Sequence, residues 1–261
     1  MRATISCRRP AVRIAAAALL LTSVAAPAKA QFWSKKDYRK WSAGECRKIL
    51  SDSPWAQTYT FSMVQMPNGA TTTAIPGRQP LLEVKYTAIF FSALPVREAQ
   101  VRLGQIDSHY DKMTSEQKKN FDESAARYLA VPFPKDTVIL VDYYTNVEYF
   151  VSALASTWQL QTTAKLQNST FLFAGGKTVR LNRYQPETKQ PQFFLFFPRL
   201  VNGEPILGRN AKSLTLQITS PQLQFANTFG SGNLTAQQPA AQNIIFSFNV
   251  KKMLYRGKLA Y

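Results

Sequence analysis

The sequence predicts an α+β fold: a β-rich sandwich or open barrel, with a helical hairpin over about 95–130 packed on it and a short N-terminal helix. Three observations carry this. Many short stretches alternate apolar and polar residues with the period of a half-buried strand, for example Tyr59, Phe61 and Met63 between Thr58, Thr60 and Ser62. Between Pro95 and Leu129 the period changes to that of helices. The second half is punctuated by pairs suited to tight hairpins, Gly175-Gly176 and Asn202-Gly203.

The first thirty residues read as targeting. Arg2, Arg8, Arg9 and Arg13 precede the apolar run from Ile14 to Leu21, and Ala28-Lys29-Ala30 after Pro27 has the small-residue spacing of a signal-peptidase site. The run is short of the ~20 residues of a spanning helix, and no later segment is long and apolar enough to be one. Arg8-Arg9 lacks the fuller twin-arginine pattern, and Cys7 precedes the apolar run, where it cannot become a lipidated first residue. The expectation is a signal peptide over 1–30, a single β-rich domain over 31–261, and export to the periplasm or the exterior.

Element by element, Ser42 and Glu45 form a capping box, with Trp41 and Cys46 at the spacing of a hydrophobic staple and Pro54 after the helix they open. Strands are expected over Thr58 to Met66, ended by Asn68-Gly69, and over Leu81 to Phe91. Pro95 suits a first helical turn, and Val96, Ala99, Leu103, Ile106 and Tyr110 follow at helical spacing. Thr114 and Gln117 supply a second capping box for a helix with Phe121, Ala125, Tyr128 and Leu129 on its stripe, closed by Pro132 and Pro134. A strand is expected from Val138 to Tyr144. Asn146 to Thr157 fits either type and is read as helix through Val147, Phe150, Val151 and Leu154. Strands follow over Thr170 to Ala174, Lys177 to Tyr184, Gln192 to Leu200, Leu214 to Ile218, Ile244 to Val250 and Met253 to Tyr261, with a polar loop from Gly230 to Gln242. The run Phe193 to Phe197 reads as a strand buried on both faces. No internal repeat is present.

Charge is the strongest bias. The chain carries 32 Lys/Arg against 15 Asp/Glu; without residues 1–30 the net charge is still +12, and residues 149–261 hold 12 basic residues against only Glu187 and Glu204. A basic exported surface is drawn to anionic partners, more weakly as salt rises. The candidate anion-binding residues are Arg180, Arg183, Arg199, Arg209, Lys212, Lys251, Lys252, Arg256 and Lys258. The partner expected is an anionic envelope component, a lipid headgroup or a glycan, in preference to nucleic acid.

Catalytic chemistry finds little support. His109 is the sole imidazole and is read as a partly solvated helix residue; with one histidine and, after cleavage, one cysteine, no zinc set exists and no cofactor is expected. Cys46 is read as a core thiol, with an intermolecular disulfide open to it as the unpaired cysteine. Gly230-Ser231-Gly232 lacks the strand-to-helix setting of a nucleophile elbow, and no phosphate, dinucleotide or calcium loop is present. Glu83, Glu98, Asp107, Asp111, Asp122 and Glu123 could pair as glycosidase carboxylates, but most are expected on polar faces.

The pattern Trp41-Ser42-x-x-Glu45-Cys46-x-x-Ile49-Leu50, followed by Ser53-Pro54-Trp55-Ala56, resembles the opening of uncharacterised exported proteins of soil bacteria. Phe197-Pro198-Arg199 and Tyr255-Arg256-Gly257-Lys258-Leu259 are similar to their later motifs. The resemblance spans most of the chain after residue 30 and implies no activity. The function expected is a non-catalytic binding or assembly module with a basic C-terminal half. The alternatives are an outer-membrane β-barrel, suggested by Met253, Tyr255, Gly257, Leu259 and Tyr261 at alternate positions, and a carboxylate-based hydrolase.

Overall fold

A computed structural model describes residues 31–65, 71–73, 82–208, 211–220 and 242–261. The chain divides into a unit over Met1–Phe32, of which only the last two residues are described, and a unit over Trp33–Tyr261. Residues 1–30, the Asn68-Gly69 turn and the polar stretch 230–241 lie outside the described residues.

One helical turn, α1 (Phe32–Lys35), and a 3-10 turn (Tyr38–Lys40) lead to α2 (Ala43–Ser51). Both halves of the expected capping box form: Glu45 N donates to Ser42 Oγ at 3.2 Å and Ser42 N donates to Glu45 Oε2 at 2.7 Å. Trp41 and Cys46 of the staple are fully buried. Strands β1 (Ala56–Gln65), β2 (Thr71–Thr73) and β3 (Leu82–Phe90) follow. The helical hairpin is α3 (Leu94–Asp107) and α4 (Ser115–Ala130), α4 opening on the Thr114–Gln117 box. His109 is exposed in the turn after α3 at φ 53°, not within a helix. Then come β4 (Asp136–Thr145) and α5 (Glu148–Gln159), which resolves the ambiguous segment as helix, and the turn α6 (Thr163–Leu166).

The second half is β5 (Phe171–Ala174), β6 (Lys177–Arg180), β7 (Arg183–Pro186), β8 (Gln192–Pro198), β9 (Leu200–Val201), β10 (Glu204–Pro205), β11 (Ser213–Thr219), β12 (Asn243–Asn249), β13 (Leu254–Tyr255) and β14 (Lys258–Leu259). Two of the expected strand spans need correction. The run Lys177 to Tyr184 is two strands in different sheets: the chain leaves β5 after Arg180, turns at the buried Leu181, and joins β8 from Arg183. Met253 to Tyr261 is not one alternating strand but a two-residue hairpin whose turn, Arg256-Gly257, has positive φ at both positions. Gly175-Gly176 and Asn202-Gly203 turn in the same way, as their composition requires.

The strands form an antiparallel six-stranded sheet, β2-β1-β3-β4-β8-β7, and an antiparallel four-stranded sheet, β12-β11-β5-β6. Neither closes into a barrel among the described residues, and no described helix is long and apolar enough to cross a membrane. The main core lies between the sheets, where Phe90 meets Phe248 edge-on at 4.8 Å and Tyr59 meets Phe246 at 6.4 Å. Trp158 of α5 closes one side of it, 4.2 Å from Phe193, and donates to Tyr86 Oη, which also bonds Ser220. Helices cover part of the other face of the six-stranded sheet, burying Ile89, Val138 and Leu140. The Phe193–Phe197 strand is therefore not buried on both faces: Phe193, Leu195 and Phe197 enter the core, while Phe194 and Phe196 are half-buried, Phe196 beneath the Arg183 guanidinium at 3.5 Å.

Candidate anion-binding surface

The nine basic candidates separate by what their charges touch. Arg199 follows β8, where its Nε donates to the main-chain oxygen of Asp136 at 3.1 Å and its Nη2 to that of Tyr261, whose ring lies 4.5 Å away. It holds the fold. Arg256 donates to Glu98 Oε1 at 3.0 Å, and Tyr255 Oη donates to Glu98 Oε2. Glu98 on α3 is only 3% exposed; burial pushes its carboxyl above the usual range, and the Tyr255 and Arg256 contacts work in the opposite direction. Arg256 is thus spent on a buried acid that the sequence suggested would be solvated. Arg183 is stacked on Phe196 and donates to Gln185. Arg209 lies outside the described residues.

The other five, Arg180, Lys212, Lys251, Lys252 and Lys258, are exposed, and among the described residues none of their side chains is in an ion pair or a hydrogen bond. Three of them gather. Ser213 pairs with Asn249 across β11 and β12, and Val250 N donates to the Lys212 oxygen at 3.1 Å, so the 3-10 turn carrying Lys251 and Lys252 sits beside Lys212 at one end of the four-stranded sheet. Arg180 stands on β6, across the sheet, and Lys258 in the separate C-terminal hairpin.

The outward face of that sheet is built by strict alternation. In β5, Leu172 and Ala174 point into the core and Phe171 and Phe173 point out, the reverse of what side-chain size alone suggests. Register places Ile245, Gln217, Phe171 and Arg180 in one row across the four strands, and Ser247, Thr215, Phe173 and Thr178 in the next. The two rings are 6.2 Å apart; Phe173 is 37% and Ile245 51% exposed. Asn243 and Thr219 extend the face at one end and Ser213 and Asn249 at the other, so no strand position on it carries a carboxylate. Glu204, near the β5–β6 hairpin, is neutralised by Lys177 at 2.7 Å. The outward Phe171 and Phe173 escaped sequence reading because Phe-Leu-Phe-Ala alternates in either phase.

The suspected carboxylates do not converge. Glu98 is in its buried pair, Asp122 accepts from Tyr110 Oη at 2.7 Å, and Glu123 faces Arg127 at 4.0 Å. No group of three metal-ligating side chains forms among the described residues. Burial pushes the Cys46 thiol up to about 11, the opposite of what a nucleophile needs, and its full burial means that a disulfide to another chain requires α2 to move. Asp142, which sequence reading passed over, is pushed up to about 6 by burial. Its register neighbours on the outer face of the six-stranded sheet are Thr87 and Gln192, which supply no second acid. Comparison of the chain with protein-family models, with curated proteins and with solved structures gave no match.

Proposed function

We propose that the chain is an exported, non-catalytic binding module that holds an anionic component of the cell envelope at the basic end of its four-stranded sheet. The observation that carries this is the grouping of Lys212, Lys251 and Lys252 with no counter-ion among the described residues, beside a sheet face that has no carboxylate. A structural surface charge is normally interspersed with the opposite sign, and here the partner is left to come from outside. The signal-like first thirty residues and the basic second half support the same reading.

The test is retention of the chain lacking residues 1–30 on anionic vesicles and anionic glycans across a salt series. A cation near an anionic surface contributes about 1 kcal/mol, so replacing Lys212, Lys251 and Lys252 together by Gln is expected to weaken low-salt binding by about a hundredfold and flatten its salt dependence. Equal retention of the triple variant and the parent on every matrix would overturn the reading.

A further inference from the structure

Resting on that reading, we infer that the outward face of the four-stranded sheet is a glycan platform and that its ligand is a polysaccharide bearing carboxylate groups. Phe171 and Phe173 make a contiguous aromatic strip, two rings 6.2 Å apart, in the middle of the sheet. Such a strip in water is useful only to a ligand with apolar faces to lay on it. On both sides the register sets hydroxyl and amide side chains: Thr215 and Gln217 on β11, Thr178 on β6 and Ser247 on β12. A sugar ring has that combination of chemistry, an apolar face for the aromatic and hydroxyls around its rim for the polar flanks.

The charges fix which sugars. Arg180 is the register partner of Phe171 on the adjacent strand and its side chain is exposed, so a forked guanidinium that can take a carboxylate bidentately is carried on the strand next to the ring. Lys212 immediately precedes β11, three residues before Thr215 of the Phe173 row, roughly 10 Å at the rise of a strand. A chain laid over both rings therefore meets Arg180 on the neighbouring strand, runs towards the end of the sheet where the backbone carries the lysine group, and meets no carboxylate at any described strand position of the face. A lipid surface is a poorer match. Phe171 is half-buried and Phe173 is only 37% exposed, so the rings lie on the sheet and do not project from it as an inserting side chain must.

The experiment measures binding of the chain lacking residues 1–30 to polygalacturonate, alginate and hyaluronate, with methyl-esterified polygalacturonate, phosphatidylglycerol vesicles and single-stranded DNA as comparators. Expected is binding to at least one carboxylated glycan, loss of it on esterification, and weakening by about tenfold or more in Phe171→Ala/Phe173→Ala and in Arg180→Gln, about 1.4 kcal/mol for each tenfold. Phe173→Trp, which keeps a ring in place, is expected to bind as the parent does. Thermal melts keep a misfolded variant from being scored as a binding loss, and Phe173→Ala alone, at the more exposed ring, stands in should the double variant fail to fold.

Binding of several polyanions that depends on the lysines and ignores the two rings would overturn the platform and leave the proposed function standing. Retention on no matrix would remove both. Ring-dependent binding only to vesicles or only to DNA, or a dimer that dissociates in the double Phe variant, would assign the face to a membrane, a nucleic acid or a second copy of the chain, and each would overturn the glycan assignment.

Discussion

The two sheets share one core and treat their other faces differently. In β4, at the centre of the larger sheet, five successive residues from Thr137 to Val141 are buried, because helices lie on one side and the smaller sheet on the other. In β12 the residues alternate without exception, Ile244, Phe246 and Phe248 inward and Asn243, Ile245, Ser247 and Asn249 outward. A stretch of strand covered on both faces, such as Thr137 to Val141, is occupied entirely with holding the fold. A sheet with one open face has side chains to spare, and the identity of those side chains is then informative about a ligand.

The largest expected effect exploits one residue type on the two sides of a sheet. Phe248→Ala removes a fully buried ring that meets Phe90, and a core Phe→Ala change costs about 3–5 kcal/mol, to be read as a lower urea midpoint. Phe173→Ala on the outward face should stay within about 0.5 kcal/mol of the parent in the same assay. Equal losses would show that the face is covered.

The helix layer gives the next test. Arg97 is 6% exposed, and its Nη1 donates to the main-chain oxygens of Tyr128, Leu129 and Val131 at 2.9–3.2 Å, satisfying carbonyls that the end of α4 leaves free. Arg97→Met keeps the stem and removes the donors, at a cost of about 1–3 kcal/mol, with faster amide exchange concentrated in the last turn of α4.

Asp142 sharpens the comparison through pH. Its carboxyl is pushed from the ordinary 3.8 up to about 6 by burial, so its contribution to stability is full below about pH 4 and is lost as pH rises through 6. Asp142→Asn should remove that fall. Because the side chain keeps part of its hydration, the gain at pH 7 is of order 1–2 kcal/mol, measurable as denaturation midpoints that no longer drop between pH 4 and 7. A variant as pH-dependent as the parent would place the titrating group elsewhere.

What the sequence disclosed was what is decided locally. The boxes Ser42–Glu45 and Thr114–Gln117 and the Gly175-Gly176 turn depend on residues at most three apart, and all formed as expected. Period-two alternation found most strands, but it does not say which phase faces inward, so Phe171 and Phe173 were indistinguishable from core. Nor does it say which sheet a strand joins, which is why the crossing at Leu181 was read as continuous. The distribution of the basic residues was visible, but their employment was not: that Arg199 and Arg256 serve the fold depends on Tyr261 and Glu98, 62 and 158 residues away. The exposed lysine group rests on the pairing of β11 with β12.

Those separations also order events during synthesis. Trp55 Nε1 donates to the main-chain oxygen of Ala260, 205 residues further on, and the buried Glu98 takes its partners from Tyr255 and Arg256. At 5–20 residues per second, Trp55 waits about ten to forty seconds for that acceptor to be made. Until then Glu98 has no donor to offset its burial, and a lone ionised acid resists the docking of α3. Docking of α3 with Glu98 charged is therefore expected to wait for the segment that carries Tyr255 and Arg256.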